Sequence, residues 1–137
     1  MSEFTVYHEP VGQPRHRIST RGGFAKMYLP SRHPVHGFKR AIRLAIGKPA
    51  KIQGAVQIVV NAWFSRPKSK IWKRKPMPSY RHTSKPDADN VLKAVLDALN
   101  KVAWIDDAQI VTAIVRKFVC SGECVPRVEI SIKEVNE

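Results

Sequence analysis

The sequence predicts an α+β fold in which a mixed β-sheet is covered by two helices. Some segments alternate apolar and polar residues or are dense in Val, Ile and aromatic residues, which is typical of strands. Two others repeat apolar residues at helical spacing. At 137 residues the chain is the size of one ordinary domain, so we predict a single domain over residues 1–137.

Six strands are predicted, and one of them is expected at the centre of the sheet. Residues 55–64 are that central strand because β-branched and aromatic side chains fill it. Two of the connections carry turn residues, Gly22-Gly23 in the first and Gly122 in the second. The predicted strands are residues 4–8, 15–20, 24–29, 55–64, 110–119 and 125–132.

Residues 34–47 and 89–102 are predicted to be amphipathic helices. In the first, apolar residues recur at helical spacing and leave basic residues on the remaining arc. In the second, apolar residues occupy one arc, and polar residues that include Asp89, Lys93 and Asp97 occupy the opposite one. We interpret Asp97 as a solvated position on this polar arc.

Basic and acidic residues are separated along the chain, which has a net charge of +13. Residues 10–86 contain no acid and hold 18 of the 24 Lys and Arg residues, whereas every Asp lies within residues 87–107. A basic field of this extent binds phosphate backbones by counterion release, so nucleic acid is the expected partner. A surface that serves only solubility or a ribosome-like structural role is the alternative.

Residues 66–85 are predicted to form a mobile loop, because three prolines there exclude regular structure. Eight Lys or Arg residues are interleaved with Trp72 and Tyr80, a mixture that suits a nucleic-acid backbone with bases or sugars packed on the rings. Alternatively, Trp72 simply anchors a solvated loop to the core. The cations that we expect to contact nucleic acid are Lys68, Lys70, Lys73, Arg74, Lys75, Arg81 and Lys85.

Several other classes of protein are disfavoured. The first residues do not resemble a signal peptide and no apolar run approaches the ~20 residues of a membrane span, so we expect a soluble cytoplasmic protein. Cys120 and Cys124 are expected to be reduced thiols, and a zinc site formed with His33 and His36 lacks a suitable spacing. No phosphate-binding loop motif of ATP-driven motors occurs. The remaining histidines are expected to be exposed or locally hydrogen-bonded: His8, His16 and His82.

Two aspartates are expected to converge where the second helix begins. Pro86 restricts the residue before it to an extended conformation, and if that geometry continues, Asp87 and Asp89 point to the same side. Two such charges ~4 Å apart repel by roughly 4 kcal/mol at an effective dielectric of 20, so a cation or proton is expected between them. Oxygen-only ligands favour Mg²⁺, for which Mn²⁺ is expected to substitute.

Helix capping is the competing interpretation, because Asp is favoured at the start of a helix. Capping explains either Asp87 or Asp89. It does not explain Asp106 and Asp107, which follow the helix at a point where Trp104 and Ile105 are expected to turn the chain back toward the helix start. From the residues alone, two explanations of the aspartates remain possible. Either they form a metal site, or they are a helix cap and two unrelated turns.

The acidic segments resemble the signature of the RusA family of Holliday junction resolvases. Residues 85–100 read KPDADNVLKAVLDALN, and residues 104–110 read WIDDAQI. The resemblance implies a phage- or prophage-type enzyme of DNA recombination or repair. It also implies a homodimer that binds branched DNA, in particular four-way junctions, and cuts it with paired symmetric nicks in a magnesium-dependent reaction. A noncatalytic DNA- or RNA-binding module is the alternative that explains the charge but not the aspartates.

The resemblance also implies roles for particular residues. Asp87, Asp89 and Asp107 match the metal-binding carboxylates, and Lys93 matches a lysine needed for cleavage. Asp106 is expected to have a structural or supporting role. Members of the family do not share one residue that opens the junction, and the residue just before the first aspartate, Pro86, does not identify one here. Trp72 and Tyr80 are the candidates for opening the junction in this chain.

Overall fold

The computed structural model describes residues 2–14, 17–19, 26–28, 32–122 and 124–136. Two short 3₁₀ helices are formed by Lys68–Lys70 and Asp107–Gln109. The strands and α-helices are β1 Ser2–Val6, β2 Arg17–Ser19, β3 Lys26–Tyr28, α1 Pro34–Ile46, β4 Val56–Phe64, β5 Tyr80–Arg81, α2 Ala88–Leu99, β6 Ile110–Val119 and β7 Arg127–Glu134.

The main sheet has five strands in the order β1-β7-β4-β6-β5. β4 and β6 are parallel, and the other neighbours are antiparallel, so the predicted mixed α+β sheet is confirmed. β6 and β7 follow each other in the chain but do not pair, because β4 lies between them. β4 is therefore the central strand, as its sequence predicts.

The core lies on one face of this sheet. β4 alternates buried and half-buried residues, and the buried set, from Val56 to Phe64, lies on the side on which both helices pack. Phe38 and Ile42 of α1 and Leu99 of α2 are fully buried there. The predicted covering of the sheet by two helices is thus confirmed.

Charged side chains of α1 also contact α2. Lys39 Nζ lies 3.6 Å from Asp97 Oδ2, and Arg43 Nε donates to the carbonyl oxygen of Ala98 at 3.1 Å. The interpretation of Asp97 as a solvated position is therefore incomplete: its side chain is 38% exposed, but it also pairs with α1, because the polar arc of α2 meets the basic arc of α1. The ion pair is partly exposed and contributes little more than ~1 kcal/mol.

The flanking segments depart from the predictions in part. β2 and β3 pair antiparallel as the predicted hairpin requires, but its Gly22-Gly23 turn lies outside the described residues. Tyr80 and Arg81 pair with β6, so the prediction that prolines exclude all regular structure from residues 66–85 was wrong for this short strand. Within the described ranges, no helix is both long and apolar enough to span a membrane.

Cys120 and Cys124 form a disulfide, so the prediction of reduced thiols is corrected. The chain turns between β6 and β7 and brings the two Cα atoms to 5.3 Å, which is within the usual range for a disulfide. The turn packs against residues 66–85, since the Gly122 amide donates to the Met77 carbonyl oxygen at 2.9 Å. The disulfide therefore closes a turn that supports residues 66–85, which we call the basic loop.

Candidate metal and nucleic-acid site

The segment that precedes α2 is fixed by a lysine of the sheet. Lys117 Nζ donates to the carbonyl oxygens of Ser84 at 2.8 Å and Pro86 at 2.7 Å. Lys117 lies near the carboxyl end of β6, and its backbone carbonyl accepts from the amide of His82 at 3.1 Å. The sheet thereby sets the position of the residue that follows, Asp87. No sequence pattern marked Lys117, because its role depends on a long-range contact.

Asp87 and Asp89 are both exposed at the amino end of α2. Asp87 occupies the N-cap position, but its side chain makes no capping hydrogen bond. The expected extended geometry ends at Asp87, because Ala88 and Asp89 already belong to the helix. Among the described residues neither aspartate takes part in an ion pair. Asp87 and Asp89 are therefore two exposed carboxylates without cationic partners at the start of α2, although the chain carries an excess of cations.

The turn that contains Asp106 and Asp107 is held by its own side chains. The indole Nε1 of the fully buried Trp104 donates to Asp107 Oδ1 at 2.8 Å. Asp106 and Gln109 form a capping box around the 3₁₀ helix. Gln109 Nε2 also donates to the carbonyl oxygens of Ile52 and Gly54 at 2.9 and 2.8 Å. The polar residues of this motif thus have a structural role, while Asp107 retains a second carboxylate oxygen.

The structure does not bring Asp107 to the other two aspartates within one chain. Asp87 precedes the 12-residue helix α2 and Asp107 follows it, so they are separated by a helix ~18 Å long at 1.5 Å per residue. Consistently, the described residues contain no group of three acidic, His or Cys side chains that could hold a metal. The prediction that residues 104–107 return to the helix start was wrong, because α2 and β6 run in opposite directions.

Lys93 lies one helical turn after Asp89 and is exposed. The ion pairs of the described residues join Lys39 to Asp97 and Arg127 to Glu129, so neither involves Lys93. Among the described residues, Lys93 therefore forms no ion pair with Asp89 or Asp97, which lie one helical turn before and after it. Its ammonium is available to a ligand that also contacts Asp89.

An open cleft of about 740 Å³ adjoins Asp87. His33 and Lys85 line it together with Gln13, which is buried at 8% exposure and whose Oε1 has no hydrogen-bond partner among the described residues. The Gln13 amide donates to the Asn90 carbonyl oxygen at 2.8 Å and so ties this segment to the first turn of α2. Sequence reasoning missed Gln13, since a single Gln in an irregular segment carries no recognisable pattern.

His82 is also more constrained than the sequence predicted. Its ring stacks on Phe64 with a centroid distance of 3.9 Å, and its Nδ1 is buried without a partner in the described part of the chain. Burial, and secondarily the charge of Lys117, lowers the pKa of His82 below its ordinary value. The imidazole is therefore held neutral near the segment that carries Asp87.

The basic loop presents its cations to solvent. All seven cations that the sequence marks for nucleic-acid contact are exposed. Arg66, which the prediction did not include, is half-buried, and its guanidinium lies over the rings of Trp72 and Tyr80. Most of the exposed cations of this loop precede β5 in the chain, and the carboxylates at the start of α2 follow it. A phosphate backbone bound to the cations would reach these carboxylates next to β5. This arrangement suits metal-assisted chemistry on a phosphodiester.

Comparison with known proteins gives two matches. A sequence profile described as "Endodeoxyribonuclease RusA" matches residues 8–133. The chain is 37% identical over 142 residues to a protein described as "Uncharacterized protein YqaN" from Bacillus subtilis (strain 168), in an alignment that covers 98% of this chain and 96% of that protein. The profile match spans the basic loop, both acidic segments and the whole of the sheet except its first strand and last residue.

Proposed function

The chain belongs to the RusA endodeoxyribonuclease family, and from this premise we propose that it is a magnesium-dependent endonuclease that resolves four-way DNA junctions by paired nicks. The observation that carries the proposal is the exposure of Asp87 and Asp89, without ion pairs, beside a strongly basic surface. In a chain with a net charge of +13, carboxylates left without cations favour a role with an external cation.

The donor set at the start of α2 fits Mg²⁺. Asp87 and Asp89 offer only oxygen ligands, and the Asp87 side chain is not occupied by a capping hydrogen bond. Mg²⁺ commonly takes one or two carboxylates and completes its shell with water and substrate phosphate, and Mn²⁺ accepts the same donors. When bound, the metal supplies positive charge at the scissile phosphate and lowers the pKa of a water molecule.

The residues around this pair have separate tasks in phosphodiester hydrolysis. Asp87 and Asp89 hold the metal, and Lys117 positions the segment that presents Asp87. Lys93, on the same helical face as Asp89, places its ammonium where negative charge develops on the phosphate in the transition state. The seven exposed cations of the basic loop bind the flanking backbone. These cations orient the DNA strand, whereas the hydrolysis takes place at the start of α2.

A homodimer would supply the third carboxylate. Within one chain Asp107 lies at the opposite end of α2, whereas the outer edge of β6 offers a surface for a second chain. Residues 110–116 have β4 on one side and no strand on the other among the described residues. Val111 and Ile114 are 59% and 36% exposed on this edge. A free edge with apolar side chains favours strand pairing with another copy.

One register of such pairing would join the two acidic segments. In an isologous, antiparallel β6 pair whose two-fold axis lay near Thr112, the turn that carries Asp107 in one chain would face the part of β6 that carries Lys117 in the other. Because Lys117 contacts the carbonyl oxygen of Pro86, this register would bring the partner subunit's Asp107 toward Asp87. Two composite sites form, one for each of the opposed strands of a four-way junction. This arrangement supports paired nicking, which one site cannot perform.

Cleavage of a labelled four-way junction tests the proposal. We expect paired nicks on opposed strands in Mg²⁺, none in the presence of EDTA, and much slower cutting of a linear duplex of the same sequence. The Asp89→Asn variant is the matched control, since it keeps the fold and the basic surface. Junction binding without any metal-dependent cleavage would instead support a noncatalytic DNA-binding module.

A further inference from the structure

An open aromatic pocket of about 200 Å³ lies in the basic loop. Its walls include Trp72 and Tyr80, which are 37% and 38% exposed, and Arg66, Lys70 and Pro78 complete the lining. Trp72 therefore does not serve only to anchor the loop in the core. A large exposed aromatic side chain that lines a pocket is typical of a binding site.

The cation in this pocket is fixed before any ligand arrives. Arg66 Nε donates to the Lys70 carbonyl oxygen at 2.6 Å, and Nη1 donates to those of Pro78 and Cys120 at 3.0 and 3.2 Å. Its Cζ lies 5.2 Å from the ring centroid of Trp72 and 5.4 Å from that of Tyr80. Three of the five N–H donors of Arg66 are thus engaged, and those on Nη2 remain for a ligand.

The charge around the pocket decides between possible occupants. Residues 66–85 contain eight Lys or Arg residues and no acid, which opposes a basic peptide and favours a polyanion. Lys75 Nζ lies 5.6 Å from the Trp72 centroid, so positive charge surrounds the ring itself. Aromatic faces beside fixed cations are the combination that holds an unpaired nucleobase by stacking and its phosphates by charge.

The pocket also lies close to the candidate metal site. Tyr80 pairs with Val119 at the carboxyl end of β6, and Lys117, two residues earlier on the same strand, contacts the carbonyl oxygen of Pro86. Two residues along a strand span ~7 Å. The pocket and the start of α2 are therefore both attached to the carboxyl end of β6.

We propose that the pocket formed by Arg66, Trp72 and Tyr80 binds one unstacked nucleobase of the strand that runs past Asp87. The proposal rests on the proposed endonuclease function, since it specifies how that enzyme holds an opened strand. Nucleotides at a branch point unstack at lower cost than those within a duplex, so the pocket favours branched over linear DNA. The base is held by its faces, and binding is therefore tolerant of sequence.

Binding measurements without metal test the pocket separately from cleavage. The ligands are a short oligothymidine strand and an abasic deoxyribose-phosphate strand of equal length and charge. Because loss of base stacking on an aromatic ring costs roughly 5- to 150-fold in affinity, Trp72→Leu should weaken oligothymidine binding by that factor. It should leave abasic binding unchanged, and Trp72→Phe should retain most of the wild-type affinity. Tyr7→Leu, at an aromatic residue that is 74% exposed and does not line the pocket, is the matched control.

The outcomes separate the pocket from the proposed function. Equal loss on both strands would show that Trp72 maintains the loop, and this would overturn the pocket. Unchanged oligothymidine affinity in Trp72→Leu, with normal junction cleavage by the wild type, would overturn the pocket alone. Base-dependent binding through Trp72 in a protein that cleaves no junction would support the pocket and contradict the proposed function.

Discussion

The ammonium of Lys117 and the carbonyl oxygen of Pro86 lie 2.7 Å apart and connect the carboxyl end of β6 to the residue before Asp87. A second hydrogen bond from the same ammonium reaches Ser84 at 2.8 Å. A lysine is well suited to this task, because its ammonium has three donors and can hold two carbonyl groups at once. The position of the candidate metal ligand is thereby set by a strand that pairs with β4 along its length and with β5 at its carboxyl end.

Lys117→Met should lower the rate of junction cleavage by about 10- to 100-fold, the usual effect of removing a group that orients a metal ligand. The apolar stem is retained, but the two carbonyl groups lose their donor. We therefore expect the Mg²⁺ concentration for half-maximal cleavage to rise, while junction affinity measured without metal changes little. Single-turnover cleavage over a series of Mg²⁺ concentrations measures both quantities.

The matched control for this change is Lys133→Met, which removes an exposed lysine of β7 that contacts neither carbonyl. It should retain the wild-type requirement for Mg²⁺. If Lys117→Met instead weakens DNA binding without altering that requirement, Lys117 contacts phosphate and does not position Asp87.

Asp87→Asn and Asp89→Asn should each abolish cleavage and leave junction binding intact or stronger. Each change removes a proposed metal ligand and also a negative charge that repels the phosphate backbone. Cleavage assays in Mg²⁺ and band-shift titrations in EDTA give the two readouts.

Asp97→Asn is the control on the same helix. Its carboxylate pairs with Lys39 and lies near the far end of α2, so this variant should cleave normally and lose at most ~1 kcal/mol of stability. Parallel loss of binding and cleavage in Asp87→Asn or Asp89→Asn would indicate that the aspartates are needed for folding.

Lys93→Ala should reduce single-turnover cleavage far more than affinity. The proposed contact is with one phosphate among many, so the binding energy that it contributes is small, whereas its charge acts where the transition state becomes more negative. Lys101→Ala, beyond the end of the same helix, is the comparison, and it should leave the rate unchanged. A wild-type cleavage rate for Lys93→Ala would eliminate this assignment.

Replacing Lys73, Arg74 and Lys75 with Gln in one triple variant should weaken DNA binding and reduce its dependence on salt concentration. Each lost phosphate contact reduces the slope of log affinity against log salt by about 0.9 on duplex DNA. Titrations at several salt concentrations measure this slope, with Lys133→Gln as a control for the loss of an unrelated charge. An unchanged slope in the triple variant would place the DNA on another surface.

The elements were predictable because their periodicity is local. The apolar arcs of α1 and α2 and the dense run of β4 identify buried faces, whatever the tertiary fold. The ion pair between Lys39 and Asp97 was not predictable, because each residue alone resembles a solvated helix position.

The candidate site was predictable only in part, for the same reason. A short motif places Asp87 and Asp89 together at a helix start, but the side of the molecule on which Asp107 lies depends on the direction of β6 relative to α2. Lys117, Gln13 and the neutral His82 contribute through contacts made between distant parts of the chain. Such contacts leave no periodic or motif-like trace in a single sequence.

The last prediction concerns the origin of the third carboxylate. Asp89→Asn and Asp107→Asn homodimers should both be inactive if all three aspartates hold the metal. When the two variants are mixed, a heterodimer of the proposed arrangement has one site with both defects and one site with none. The mixture should therefore regain nicking of one strand, without the paired cut on the opposed strand. Asp106→Asn should retain activity, because Asn also caps a helix well.

Strand-resolved mapping of the nicks in verified heterodimers measures this recovery. Mixing wild-type chains with a doubly substituted Asp89→Asn, Asp107→Asn chain is the control, and it should give no intact site, since each composite site receives one defect. A site contained within one chain predicts the reverse: no recovery from the first mixture and single nicks from the second. That pattern, or an active Asp107→Asn homodimer, would exclude a carboxylate supplied by the partner subunit across the edge of β6.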